Sequence, residues 1–367
     1  MLVVVVAAVV MMLTLLALMV EDQHILMRKV GNQKASEQGY QYAQGATAWA
    51  LRVLHEDENR VVDYMDEDWA KFGRPETEEG EEGESEGFSL RDDAQRREED
   101  EEKQATIDFG FEGLEYSIDD LQGRYNLNNL GAVEPSLRTN QKRIFINLLE
   151  QLEIGEFDER ERLYGALYDW IDENDLSSPN GFESNDYNVK DTPYHAADQK
   201  LSSLGELRFV EGFSNEIISK LKPYVTVLPV DNARININTT SPELLASLNS
   251  GTVTDTGQVQ SFLAQRDDPN FLGFQANQIQ QAENAIIGSS VTGAPFIPNM
   301  LQVNSQFFQV NTKVTLGDSE YCMESLVLRE NAGASGESTP KVTVLNRESS
   351  TLCEEPAQAT ENEEEAA

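Results

Sequence analysis

The hydrophobic pattern is most uneven at its start. Residues Leu2 to Val20 read LVVVVAAVVMMLTLLALMV, an apolar run in which Thr14 is the only polar side chain. Coiled as a helix, such a run is about 30 Å long, the thickness of a bilayer's hydrocarbon core. From Glu21 onward the pattern becomes amphipathic and meets no proline until Pro75, so the helix is expected to continue out of lipid. Tyr42, Ala46, Trp49, Ala50, Val53 and Leu54 fall at helical spacing on one face. The reading is one spine helix over residues 1 to about 56, with 1–22 as its transmembrane half. A cleaved secretory signal fits less well, because no basic stretch precedes the run and no small-residue cleavage site follows it. Glu21 and Asp22, with Arg28 and Lys29 beyond, give little topological guidance.

The remaining pattern divides the chain. Residues 66–102 are rich in glutamate and glycine and nearly free of apolar side chains. They read as a disordered acidic insertion, because so little burial cannot offset ordering entropy. TIDFGFEGLEYSI alternates as one or two strands joined near Gly113, closing a 23–123 segment of spine and first strands. DLQGRYNLNNL packs Asn126, Asn128 and Asn129 between leucines and reads as a turn-rich junction. Residues 124–300 read as a helical domain. It holds one helical face at Ile144, Phe145, Leu148 and Leu149 and another at Leu163, Leu167, Trp170 and Ile171. Two short helices about Gly212 follow, then a helix with Ser241 as N-cap and Pro242 at its first position. Residues 301–353 alternate with period two and predict an antiparallel meander, followed by a disordered acidic tail over 354–367.

Charge then narrows the functional classes. The formal net charge is -37 and the isoelectric point about 4.3. Such a surface repels phosphates and anionic lipid headgroups, which disfavours nucleic-acid binding. The same acidity suits divalent cations. Loop 172–191 concentrates Asp172, Asp175, Glu183, Asp186 and Asp191 around Pro179 and Gly181. Closely spaced carboxylates without Cys or His donors favour calcium over zinc. The expected ligands are Asp172, Asp175, Glu183 and Asp186 with backbone carbonyls, in a structural role; the alternative is that these residues cap helices and face water. Cys322 and Cys353 are the only cysteines. If YCMESLVLR and KVTVLNR form a hairpin, both lie at its open end and a disulfide is expected there.

A resemblance rests on several motifs in succession: the apolar spine, DLQGRYNLNNL, LYDWIDEND with a glycine-acidic-tyrosine loop, PYHAAD, SSLGELRFVEGF, ININTTSPELLASL and a terminal NSQFFQV meander. The order resembles the type II secretion minor pseudopilins of the general secretion pathway protein K family. That likeness implies an α+β pseudopilin fold, a spine helix on a small antiparallel sheet with an all-α domain inserted between strands. It implies no catalytic role. It further implies a single pass of the inner membrane with the globular part in the periplasm. The implied partners are minor pseudopilins I and J, then H, the major pseudopilin, and secreted protein substrates. The place implied is the pseudopilus tip. The family's glycine-alanine-glutamate-aspartate is Gly181-Phe182-Glu183-Ser184 here, leaving Asp186 to replace the second acid. No basic leader is present, so Met1 is expected to be the processed terminus, with Val5 where stacking pseudopilins carry glutamate.

Two competing classes remain. SSLGELRFVEGFSNEIISKL and ININTTSPELLASL also look like helix-hairpin-helix elements of a membrane-anchored DNA receptor, whose hairpin amides would meet phosphates. Here the hairpin carries Glu211 and its surroundings are acidic. A metal-dependent hydrolase would need a nucleophile or an orienting histidine beside the acidic loop, and His195 alone is near in sequence.

Overall fold

The computed structural model describes residues 2–57, 61–72, 113–249, 256–268, 270–288, 297, 299–317, 319–330, 341–351 and 353. Helix α1, Leu2–Glu56, is continuous through the apolar run and the amphipathic stretch. Its described side chains are exposed as far as Lys34. Burial begins at Gly39 and centres on Ala43, Ala46, Thr47, Ala50 and Leu54, while Tyr42, Trp49 and Val53 flank that stripe half-buried. The small residues bring helix and sheet close: a Cβ on Gly39 would lie 2.6 Å from the Tyr321 Cβ.

Helix α2, Asp68–Lys71, corrects the reading of the acidic insertion. Trp69 and Phe72 are buried against the spine's last turns and the sheet, so two aromatic anchors suffice to order the first residues of that segment. Residues 73–102, with the possible strand over 106–112, lie outside the described residues, as does the tail from 354. Strand β1 is Leu114–Asp120.

The helical head follows directly. Its elements are β2 (Tyr125–Asn126), α3 (Pro135–Gln151), α4 (Phe157–Ile171), α5 (Ser184–Tyr187) and α6 (Asn215–Leu221). They continue with β3 (Val225–Thr226), β4 (Ile235–Asn236), α7 (Pro242–Ser247), α8 (Thr256–Leu263), α9 (Ile279–Gly288) and β5 (Leu301–Gln302). The helix expected before Gly212 is a 3-10 helix, Leu204–Phe209. Ser241 caps α7 by accepting from the Leu244 amide, with Pro242 first in the helix. Leu301–Gln302 pairs in parallel with β4 rather than joining the meander, so Leu301 and Val303 belong to the head's core.

The asparagines of NLNN act over longer range than turn chemistry. The Asn128 amide group donates to the Leu201 and Leu228 carbonyls, and its oxygen accepts from the Leu201 amide. Asn129 is bonded to both the amide and the carbonyl of Ala233. These side chains supply partners to buried backbone that forms no ladder of its own.

The chain then returns to the sheet as β6 (Phe307–Leu316), β7 (Ser319–Glu330) and β8 (Lys341–Ser350), in the antiparallel order β1-β6-β7-β8. Asp120 ends β1 opposite Phe308, and β6 starts at Phe307. Both crossings into the head therefore lie where Leu54 packs on Phe308 and Val327. Ala43, nearer the apolar run, packs at the opposite end on Val314, Tyr321 and Met323. The head thus extends from the end of the sheet remote from the apolar segment.

Candidate functional site

The acidic loop hangs between α4 and the 3-10 helix before Gly212. Asp169, fully buried on α4, accepts from the Ser178 amide with both carboxylate oxygens, at 3.2 and 3.1 Å. Gly181 is required by proximity rather than by backbone angle: a Cβ there would lie 1.8 Å from Asp169 Oδ2.

The structure gathers some of the expected ligands and not others. Carboxylate oxygens of Asp175, Glu183 and Asp198 lie within 4.8 Å of one another. Glu183 is 3% exposed, yet both its oxygens lack a hydrogen-bond partner. Asp172 ends α4 beside this group, with Oδ1 buried and unpartnered and Oδ2 accepting from Asn174 at 2.7 Å. Asp186 instead turns to the first turn of α5, where it accepts from the Glu183 amide at 3.0 Å. Asp198, within PYHAAD, was not among the expected ligands; its left-handed backbone, φ 48°, sets its carboxyl beside Glu183. Burial, then the charges of Asp169, Asp172, Asp198 and Asp175, push the Glu183 carboxyl up to about 7. Hard, partly desolvated oxygens without partners suit a calcium ion, so this donor set fits the group expected from the sequence.

The nearby lysine, Lys190, is engaged elsewhere. Lys190 lies over the Tyr187 and Tyr194 rings and pairs with Glu211 at 2.5 Å. The hairpin that would have to meet phosphates thus carries a glutamate that already holds a lysine.

A second polar cluster, not foreseen from the sequence, lies where spine, sheet and head meet. Arg329 of β7 is fully buried; it donates to Asp57 Oδ2 at 2.5 Å, to Asp63 Oδ1 and to the Ser305 carbonyl at 3.0 Å. Its guanidinium lies 4.7 Å from the Phe308 ring centre. Asp63 also accepts from the Ser305 amide at 2.6 Å. Asp120 accepts from the Ser305 and Thr239 hydroxyls, both at 2.6 Å, and from Asn236 at 3.0 Å. Burial pushes Asp63 up to about 6 against the pull of Arg329, and raises Asp120 as well. Only widely separated segments supply these residues, so no local motif could have revealed them.

Comparison with known proteins places this architecture. Residues 123–230 match the family model described as "Type II secretion system (T2SS), protein K". A type II secretion system protein K of Pectobacterium carotovorum subsp. carotovorum is 30% identical over 234 residues, covering 61% of this chain and 69% of that protein. The chain belongs to the type II secretion system protein K family. The Aeromonas hydrophila protein K is 27% identical over 317 residues, covering 83% and 84% of the two chains. Among solved structures, the GspK-GspI-GspJ complex from enterotoxigenic Escherichia coli contains a chain of the same fold, with TM-score 0.59 and 21% identity, covering 88% of this chain and 99% of that one. The pseudopilin fold implied by the motif succession is thereby shown. Helix α1 is long and apolar enough to cross a membrane, as expected for residues 1–22.

Proposed function

We propose that this protein K family member is a minor pseudopilin that caps the tip of the pseudopilus and helps to initiate it. It is anchored by α1 in the inner membrane with its head in the periplasm. The supporting observation is the position of the head, which extends beyond the sheet at the end remote from the apolar segment. Subunits that join a fibre through parallel spines can pack below such a head, but its bulk occupies the place of a subunit above. The solved neighbour is a complex of three proteins, GspK, GspI and GspJ; minor pseudopilins I and J are the proposed partners here, followed by H and the major pseudopilin. The full chain in detergent should retain I and J together on an affinity matrix, and a label on it should mark one end of sheared pseudopili. Label distributed along the fibre would reject the tip position.

The acidic loop is proposed to hold calcium through Asp175, Glu183 and Asp198, with Asp172 beside them. The ion would tie together a loop with little core of its own. At a calcium concentration about 100 times its dissociation constant, binding stabilises a fold by about 2.7 kcal/mol. Chelation should therefore lower the melting temperature of the wild-type chain, and Glu183→Gln should melt at the same temperature with and without calcium. An equal response in both proteins would remove the ion from this loop.

A further inference from the structure

Besides Asp57 and Asp63, a third carboxyl enters the joint around Arg329. Oxygens of Asp57, Asp63 and Glu67 lie within 4.8 Å of one another. Glu67 Oε2 accepts from Trp69 Nε1 at 2.7 Å and from the Tyr64 amide at 3.2 Å. Its Oε1 is shielded from solvent and has no hydrogen-bond partner. Arg329 directs both terminal nitrogens to other acceptors, Asp57, Asp63 and the Ser305 carbonyl. Lys71, on α2, is engaged by Asp66 at 2.6 Å. Asp120 adds a further buried acid behind Asp63. Among the described residues, three carboxyls thus converge around the Arg329 guanidinium, and Glu67 Oε1 is the buried oxygen left without a donor. A metal ion is a weak alternative, because Arg329 already lies between two of its would-be ligands.

We propose that Glu67 is held as a neutral carboxylic acid at neutral pH, and that its proton is a lock on the joint between spine and head. A proton on Oε1 gives that oxygen a hydrogen to offer its carboxylate neighbours and removes one of the converging charges. Loss of the proton leaves a third anion beside Asp57 and Asp63, and the cheapest relief is for the link bearing Glu67 and Trp69 to lift from the sheet. Trp69 would then leave its edge contact with Phe308, the ring that also faces Arg329. The direction of the titration agrees: burial, followed by the charges of Asp57 and Asp63, pushes Glu67 up to about 8, against the hydrogen bond from Trp69. A group whose folded pKa is raised contributes stability that is complete below its unfolded value and lost as pH rises through the folded one. The lock therefore weakens progressively as pH rises from the ordinary carboxyl value of 4.5 towards about 8, and above that its contribution is fully lost.

The test compares the full chain with Glu67→Gln, both in detergent, at pH 7 and about two units lower and higher. Glutamine keeps an acceptor for Trp69 and carries no charge. In the wild type, hydrogen exchange of the amides between Val62 and Trp69 should accelerate by up to about tenfold per pH unit beyond the intrinsic chemical rate as pH rises towards that of folded Glu67, and should follow the intrinsic rate alone above it. Amides of the head serve as the internal reference. The variant should show no such excess, and its infrared difference from wild type at pH 7 should contain the carbonyl band of one neutral carboxylic acid. Should the variant fail to fold, the wild-type exchange profile alone decides: link amides that track the head amides at every pH overturn the lock. A missing acid band in the difference spectrum does the same.

Discussion

Arg329→Ala should destabilise the folded chain by about 3–5 kcal/mol, the usual cost of removing one member of a buried ion pair. The arginine is fully buried and holds Asp57 and Asp63 from the last turn of the spine and the link beyond it, together with the Ser305 carbonyl from the return into the sheet. Truncation would leave Asp63, itself fully buried, without its cation, while Asp120 and Glu67 remain close by. Two controls separate charge from volume. Arg329→Met keeps most of the packing over Phe308 and should still destabilise, whereas adding Asp63→Asn to it should recover a large part of the loss. Denaturant melts of wild type, Arg329→Met, Asp63→Asn and the double variant in the same detergent measure the coupling. If Arg329→Ala falls within about 0.5 kcal/mol of wild type, as exposed substitutions do, Arg329 does not hold the joint.

The joint also marks the boundary of what the sequence could reveal. Spine, helical head and meander were legible because each repeats a local period: the apolar run, the Ile144 to Leu149 face, and the alternation of β6 and β7. Caps such as Ser241 with Pro242 were legible for the same reason, because their chemistry is complete within four residues. The joint has no period. Asp63, Asp120, Asn236, Ser305 and Arg329 meet only after the head has been inserted between β1 and β6. In the acidic loop, spacing suggested that Asp175 and Glu183 lie together, as their carboxylates do, but it could not foresee that Asp186 would be directed to the start of α5. Nor could it foresee that chain reversal would bring Asp198 alongside. Trp69 and Phe72 were obscured by the acidic residues around them, since composition averages over a window and two aromatic anchors do not.

Cys322→Ser with Cys353→Ser should loosen the sheet from one edge only. The two cysteines are bridged, with Cα atoms 5.5 Å apart and a sequence separation of 31. In the chain-entropy treatment, closing a loop of that length stabilises the fold by between about 3 and 4 kcal/mol. Where that stability is lost depends on how β8 is held. Among the described residues it is an edge strand, paired to β7, and its side chains are exposed from Leu345 onward. Its apolar anchors, Val342 and Val344, pack on the spine–sheet core at one end. The bridge sits at the other, where Ser350 lies opposite Cys322. Without it, the ladder hydrogen bonds of Glu348 to Ser350, exposed to water, fray readily. Hydrogen exchange should therefore show the largest loss of protection at that end of β8, a smaller loss at Val342 and Val344, and none in the head. A thiol assay on the unfolded, unreduced wild type should find no reactive group. Two reactive thiols there, or unchanged protection at the Ser350 end in the double-serine protein, would show that the bridge does not hold this edge.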